Sequence, residues 1–328
     1  MPGSNRCGKV VGRARLRTEG TLIGPPFTVT MSGYLSSEQR ERYARHLVLP
    51  GVEEEGQEKL LKSSVLVVGA GGLGSPALMY LAAAGVGRIG IIDNDTVSSS
   101  NLQRQIIHNS SWVGKSKVES ASNWIKGLNS DIDVVEIEDR LTHENSLEIL
   151  SGYDVIIDGT DNFQSRYLIG DACEILDKPW IFGSIHRFEG QVSTFNHNGG
   201  PNYRDLFPTP PPPELSPNCT EAGVLGVLPG IVGTFQSSEA LKVILGIGEN
   251  LRGKLLVIDA LTMEMRSLSF SKNPERVRVT RLGDSVSRDF GEIGAKDLFE
   301  RRQAGWKPFL LDVRRADEEA IASIEGTD

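Results

Sequence analysis

The stretch Val65-Leu-Val-Val-Gly-Ala-Gly-Gly-Leu-Gly74 decides the fold. Its first four residues are a β-branched, apolar run of the kind buried inside parallel sheets. Four glycines then crowd into a turn, and residues 75–84 have helical character up to Gly85. Strand, glycine turn and helix in that order make a phosphate-binding unit. The glycines permit tight turning and close backbone approach, and the helix N-terminus offers unpaired N–H groups and a positive dipole end to an anion. The next strand, residues 89–92, ends at Asp93, 19 residues past Gly74. A carboxylate there can accept hydrogen bonds from ribose hydroxyls. A glycine turn packed for structural reasons alone is the competing reading, and the strand-before, helix-after context weighs against it.

Working outward, the pattern predicts a helix over 117–128 and strands over 133–137 and 154–157, with Asp158, Asp161 and Asn162 just past the last strand's end. Upstream, helical character begins at Ser36, with Ser37 able to cap, and an amphipathic stretch covers 53–61. Strands alternating with helices imply an α/β fold: a doubly wound, Rossmann-like sheet with right-handed crossovers. The second half differs. Residues 179–182 and 190–195 read as strands joined by a short connection, and 254–259 with 264–270 as an antiparallel pair. The sheet is therefore expected to be parallel in its first half and antiparallel in its second. Between these pairs, residues 208–217 hold six prolines in ten, which neither a helix nor a central strand tolerates, so an exposed loop is expected. Residues 225–245 resume as an apolar helix.

Composition narrows the function. With 328 residues, 39% hydrophobic and 24% charged, the chain can bury a sizeable core and is globular rather than disordered. A formal net charge of −8 argues against a nucleic-acid binder, which would carry a basic field. Three scattered cysteines (Cys7, Cys173, Cys219) make neither a disulfide framework nor a four-thiolate zinc site, and five dispersed histidines lack metal-ligand spacing. No apolar run reaches the roughly 18 residues a membrane span needs. The expectation is a cytoplasmic enzyme. Four segments are expected: a disordered extension or overlong start at 1–30, a catalytic domain at 31–271, a polar linker at 272–287, and the opening of a further domain at 288–328.

The glycine turn by itself would most often mean NAD, but the segment after the second strand favours ATP. Ser100-Asn-Leu-Gln-Arg104-Gln105 follows it, Lys117 comes later, and Arg42-Tyr-Ala-Arg45 lies upstream. A dinucleotide's pyrophosphate carries about two charges and backbone amides alone can hold it. A triphosphate carries nearly twice that, and its transfer chemistry puts more on the leaving pyrophosphate, so it needs fixed cations and a metal. Arg45, Arg104 and Lys117 can supply the cations. Asp161, past a strand end, is placed to hold Mg²⁺ through a carboxylate.

At these residues the sequence resembles the adenylyltransferases that activate ubiquitin-like sulfur carriers, a family that includes the molybdopterin-synthase and thiamine-pathway enzymes. The resemblance rests on Val68-Gly-Ala-Gly-Gly-Leu-Gly74, Asp93-Asn-Asp95, residues 98–104, Gly114-Lys-Ser-Lys117 and Gly159-Thr-Asp-Asn162, and covers about residues 35–270. It implies ATP-dependent adenylylation of the C-terminal Gly-Gly carboxylate of a small β-grasp carrier by a homodimer, giving an acyl-adenylate and pyrophosphate. It implies that Gly72 and Asp93 contact the nucleotide, that Ser100, Asn101, Leu102, Gln103 and Arg104 line the phosphates, and that Lys117 pairs with them. Asp161 would bind Mg²⁺ with Asn162 beside it, and Arg45 would reach into the partner's site. Two other functions remain open at this level: an NAD-dependent oxidoreductase, and an inactive scaffold that binds the carrier.

The sequence also departs from that family. Two Cys-x-x-Cys pairs that commonly bind structural zinc are replaced by Asn202 and Asp205, and by Arg276 and Val279, so no zinc is expected. An Arg276–Asp205 pair is a conceivable substitute, worth about 0–1 kcal/mol if it lies at the surface. Cys219, in Ser216-Pro-Asn-Cys219, matches a cysteine that forms a covalent sulfur-transfer intermediate in some relatives. A semi-buried structural role is an equal alternative, and Cys173 reads as core. Residues 291–328, notably Leu310-Leu-Asp-Val-Arg314, resemble the start of a rhodanese-type sulfurtransferase domain. No cysteine follows Cys219, so no sulfurtransferase activity is assigned.

Overall fold

The computed structural model describes residues 34–210, 223–283 and 300–303. Residues 1–42 form one unit and 43–328 another. The described part of the first holds a short helix, α1 (Ser37–Arg42), whose Ser36 hydroxyl accepts from the Gln39 N–H while the Gln39 side chain returns the bond to Ser36. The helical stretch expected from Ser36 onward is thus two pieces, α1 and, in the second unit, α2 (Ala44–Leu47).

The second unit is built on one eight-stranded sheet in the order β3-β2-β1-β4-β5-β6-β7-β8. Strands β1 (Ser64–Val68), β2 (Arg88–Ile92), β3 (Asp133–Ile137), β4 (Val155–Asp158) and β5 (Trp180–His186) are parallel. Then β6 (Glu189–Phe195), β7 (Lys254–Asp259) and β8 (Met265–Ser269) continue antiparallel. The change of direction follows from connection length. A two-residue turn, Arg187 and Phe188, joins β5 to β6 and can only reverse the chain, whereas each parallel step uses a longer crossover.

Helices cover both faces. One carries α3 (Glu53–Lys62), α4 (Gly74–Ala84), α5 (Lys117–Leu128) and α9 (Val227–Leu245), packed over Val65, Val67, Ile89, Ile91, Val155 and Ile157. The other carries α6 (Ser146–Ser151), α7 (Phe163–Leu176) and α8 (Tyr203–Leu206). There the core is aromatic: Trp180, Phe182, Phe195 and Tyr203 sit with ring centroids 5.3–5.8 Å apart, within the favourable range for such pairs. Cys173 lies in this core, fully buried, and burial raises its thiol pKa well above the ordinary value. None of the described helices is long and apolar enough to cross a membrane.

Register positions the site. Val68 pairs with Ile92 on one side and Asp158 on the other, so β1, β2 and β4 end flush. The turns that follow them open along one edge, at the point where strand order reverses around β1, which is where open α/β sheets bind ligands. Asp158, expected beyond the strand, is its last residue and is fully buried.

Where the zinc cysteines would stand, charged side chains engage one another. Asn202 caps α8, and the Asp205 carboxylate accepts from the Asn202 N–H. Arg276 donates to Asp205 at 2.8 Å and to Glu174 on α7 at 2.6 Å, while Arg204 pairs with Asp171 at 2.6 Å. This corrects the valuation of Arg276–Asp205 as a surface pair. The side chains of Asp205 and Glu174 are 1% and 8% exposed. Burial pushes the Asp205 carboxyl up, but hydrogen bonds from Arg276 and from two backbone N–H groups outweigh it and hold it below the usual range. The carboxylates here are taken up by guanidinium groups and are not the thiolate or imidazole array that zinc prefers.

Candidate active site

The glycine turn is shaped by close approach. A Cβ on Gly74 would lie 1.9 Å from the Gly69 carbonyl oxygen, so only glycine lets the first turn of α4 pack under the loop. Gly69 itself has φ +97°, in the left-handed region that disfavours side chains. Around this turn opens a cleft of about 350 Å³. Gly72, Asp93, Arg104, Lys117, Asp161 and Asn162 all line it.

Asp93 receives the Ala70 N–H at 2.8 Å on one carboxylate oxygen and the Asp95 N–H at 2.9 Å on the other. Each oxygen retains a lone pair for a ribose hydroxyl. Lys117 is the first residue of α5, and its buried amine donates to Asp95 at 2.7 Å. Asp95 is itself 64% exposed, so the ion pair opens toward solvent rather than being sealed. Arg104 is braced by the Ser100 carbonyl at 3.2 Å. Asp161 stands exposed at the rim, and Asn162 uses its side-chain oxygen to cap α7.

Other expected residues sit elsewhere. Ser100, Asn101, Leu102 and Gln103 do not line the cleft. Asn101 shares a capping box with Ser98, which folds the loop so that Arg104 faces inward. Arg45, in α2, is exposed and lines no part of the cleft. Cys219 lies outside the described residues, as do residues 1–30, most of the expected proline loop and most of the rhodanese-like segment.

The structure adds residues that sequence reasoning missed. Asp139, Arg140 and Leu141, beyond β3, line the same cleft, and the strand-end rule applied to β3 would have found them. Gln105 lines it too, with a buried side-chain oxygen that has no partner among the described residues. Asp158 accepts both the Thr160 N–H at 2.9 Å and its hydroxyl at 2.6 Å, bracing the loop that carries Asp161. Burial raises the Asp158 pKa to about 6, against the opposing pull of Arg166 and Thr160. A raised carboxyl pKa means that the fold prefers the protonated form. Stability from this group is full below the unfolded value of 3.8 and is lost as pH rises through about 6. Chemical denaturation of Asp158→Asn is expected to lack that slope between these limits, and an unchanged slope would contradict it.

Fold and site together define an α/β protein whose cleft, at the switch point of the sheet, is lined by a glycine turn and by the cationic side chains Arg104 and Lys117. Residues 43–279 match the ThiF family, and the chain belongs to it. The Arabidopsis thaliana adenylyltransferase and sulfurtransferase MOCS3 is 53% identical over 88% of this chain and 68% of its own. The probable adenylyltransferase/sulfurtransferase MoeZ of Mycobacterium tuberculosis is 45% identical over 92% of this chain and 81% of its own. A sulfur carrier protein adenylyltransferase of Thermus thermophilus is 50% identical over 73% of this chain and 90% of its own. Among solved structures, E. coli MccB with MccA-N7isoASN superposes with a TM-score of 0.65 at 20% identity, over 76% of this chain and 77% of that one, a likeness of fold. The chain is an adenylyltransferase and uses ATP.

Proposed function

We propose that the cleft binds ATP with Mg²⁺ and that the enzyme adenylylates the C-terminal glycine carboxylate of a small β-grasp sulfur carrier ending in Gly-Gly. The observation that carries this is the convergence of Arg104, Lys117 and Asp161 on one cleft around the glycine turn. The Thermus relative, a sulfur carrier protein adenylyltransferase, supports the carrier as substrate. An NAD-dependent oxidoreductase or an inactive scaffold would leave these charges without a role.

The chemistry asks little of the protein beyond placement. A carboxylate is already ionised at neutral pH, so no general base is needed. Its oxygen attacks the α-phosphorus, the bond to the bridging oxygen breaks, and pyrophosphate leaves with the electron pair. Gly72 and the α4 N-terminus receive phosphate oxygens, Asp93 the ribose, and Arg104 and Lys117 the charge that grows on the leaving group. Residues 100–103 shape the loop that presents Arg104. Asp161 is a hard oxygen donor open to the cleft, which fits Mg²⁺ held by one carboxylate, waters and phosphates. Bound there, the ion would offset phosphate charge.

Arg45 lies outside its own chain's cleft, and we assign it to the site of a partner copy in a homodimer. Cys219 is the candidate for a covalent step in later sulfur transfer. The enzyme is taken as cytoplasmic, its catalytic domain as 31–271, the linker as 272–287, and 288–328 as rhodanese-like.

Labelled pyrophosphate should exchange into ATP only when a Gly-Gly carrier is present. No exchange with any of a panel of such carriers, or dependence on NAD, would overturn the reading. Mixing inactive Arg45→Ala and Lys117→Met subunits should restore exchange if Arg45 acts across the dimer. A mixture as dead as its parents would reject that assignment. Cys219→Ala should keep exchange and lose only sulfur transfer.

A further inference from the structure

His108 does not line the cleft, yet it joins three stretches that do. The residue is 6% exposed. Nε2 lies 2.9 Å from the Ala70 carbonyl oxygen in the glycine turn, and Nδ1 lies 2.9 Å from the Ser120 hydroxyl. A carbonyl can only accept, so Nε2 carries a proton, and in the neutral ring Nδ1 is then left to accept from the Ser120 hydroxyl. Ser120 sits one helical turn after Lys117 on α5. The backbone N–H of His108 donates to the Gln105 carbonyl at 3.2 Å, in the loop of Arg104. Glycine turn and lysine helix therefore meet at one imidazole, on a residue whose backbone is tied to the arginine loop.

Peptide geometry turns this contact into a statement about the cleft. The Ala70 carbonyl and the Gly71 N–H belong to one planar trans unit and point in opposite directions. With the carbonyl drawn inward to His108, the Gly71 N–H faces away from it, and Gly71 lines the cleft. That N–H has no hydrogen-bond partner among the described residues. Asp93 fixes the preceding peptide through the Ala70 N–H, so the unit is held at both ends.

We propose that His108 is a positioning residue for the nucleotide, aiming the Gly71 N–H at the polyphosphate and holding α5 so that Lys117 reaches the same group. The inference rests on the ATP reading of the cleft. Burial lowers the imidazole pKa and nearby Lys117 lowers it further, against the Ala70 carbonyl and Asp93. The neutral ring this favours is the form with one donor and one acceptor that the two contacts require.

The test is titration of the full-length protein with Mg·ATP, with melting curves for every variant. His108→Ala should weaken ATP binding by about tenfold, the scale of one hydrogen bond lost or misaligned. His108→Gln places an amide N–H where the imidazole Nε2–H was and should recover most of the affinity. His108→Asn reaches only toward Ser120 and should bind as poorly as alanine. An alanine variant that binds like wild type would overturn the proposal. So would glutamine and asparagine variants of equal melting temperature that bind ATP equally. The glutamine–asparagine contrast decides even if the alanine variant fails to fold. Wild-type protein that does not bind ATP would instead reject the nucleotide reading, and this inference with it.

Discussion

Lys117→Met is expected to slow carrier-dependent pyrophosphate exchange by about 10²–10³, the usual cost of removing one preorganised group from developing charge. The amine is buried and held by Asp95 at 2.7 Å, so in the proposed reaction it would meet the phosphates in a fixed place and with little hydration left to shed. Removing it also leaves Asp95 as an unpaired acid at the mouth of an anion site, which repels the substrate. Lys117 begins α5, and methionine has good helix propensity, so the fold should survive. Both exchange rate and ATP affinity should fall while the melting temperature stays near that of wild type. A loss below about tenfold in a folded variant would show that the lysine does not face the leaving group.

The second large effect concerns stability. Arg276 spans Glu174 on α7 and Asp205 on α8, and Arg278 donates to the Glu174 carbonyl. Arg276→Met leaves two nearly buried carboxylates facing each other without a cation. Breaking such a pair costs about 3–5 kcal/mol, and the 16% exposure of Arg276 puts the expectation at the lower end. For a domain of this size that is a fall of roughly 6–12 °C in Tm. A strong zinc chelator should leave the wild-type Tm unchanged. The Asp205 carboxyl is held below its unfolded value of 3.8, so its contribution is full above that pH and is lost as pH falls through the folded value. Adding Glu174→Gln and Asp205→Asn to Arg276→Met should recover much of the loss, because the uncompensated charges disappear with the arginine. A chelator-sensitive wild type, or an Arg276→Met variant with unaltered Tm, would refute the ionic clamp.

Much of this was legible beforehand for local reasons. The strand of residues 133–137 and the helix of residues 117–128 match β3 and α5 because their periodicity and Ser116 cap lie within the segments themselves. Gly85, read as the end of the helical stretch 75–84, closes α4 in the left-handed conformation, a signal carried by residue type alone. Other features depend on distant partners. Asp158 reads as a loop acid until β1 and β5 pair around it and bury it. His108 reads as one of five scattered histidines until Ala70 and Ser120, 38 and 12 residues away, close on its two nitrogens. Asp139 and Arg140 reach the cleft only because β3 lies beside β2.

By itself the sequence determined the sheet's alternating plan, the glycine turn and the presence of residue types suited to a triphosphate, because each is written in short-range pattern. Tertiary structure alone decided which of those residues share the cleft, which loop residues instead brace it, and that a buried ionic knot ties residues 273–279 to α7 and α8. Burial and pairing across tens of residues set the charge state and direction of a side chain, and neither has a local signature.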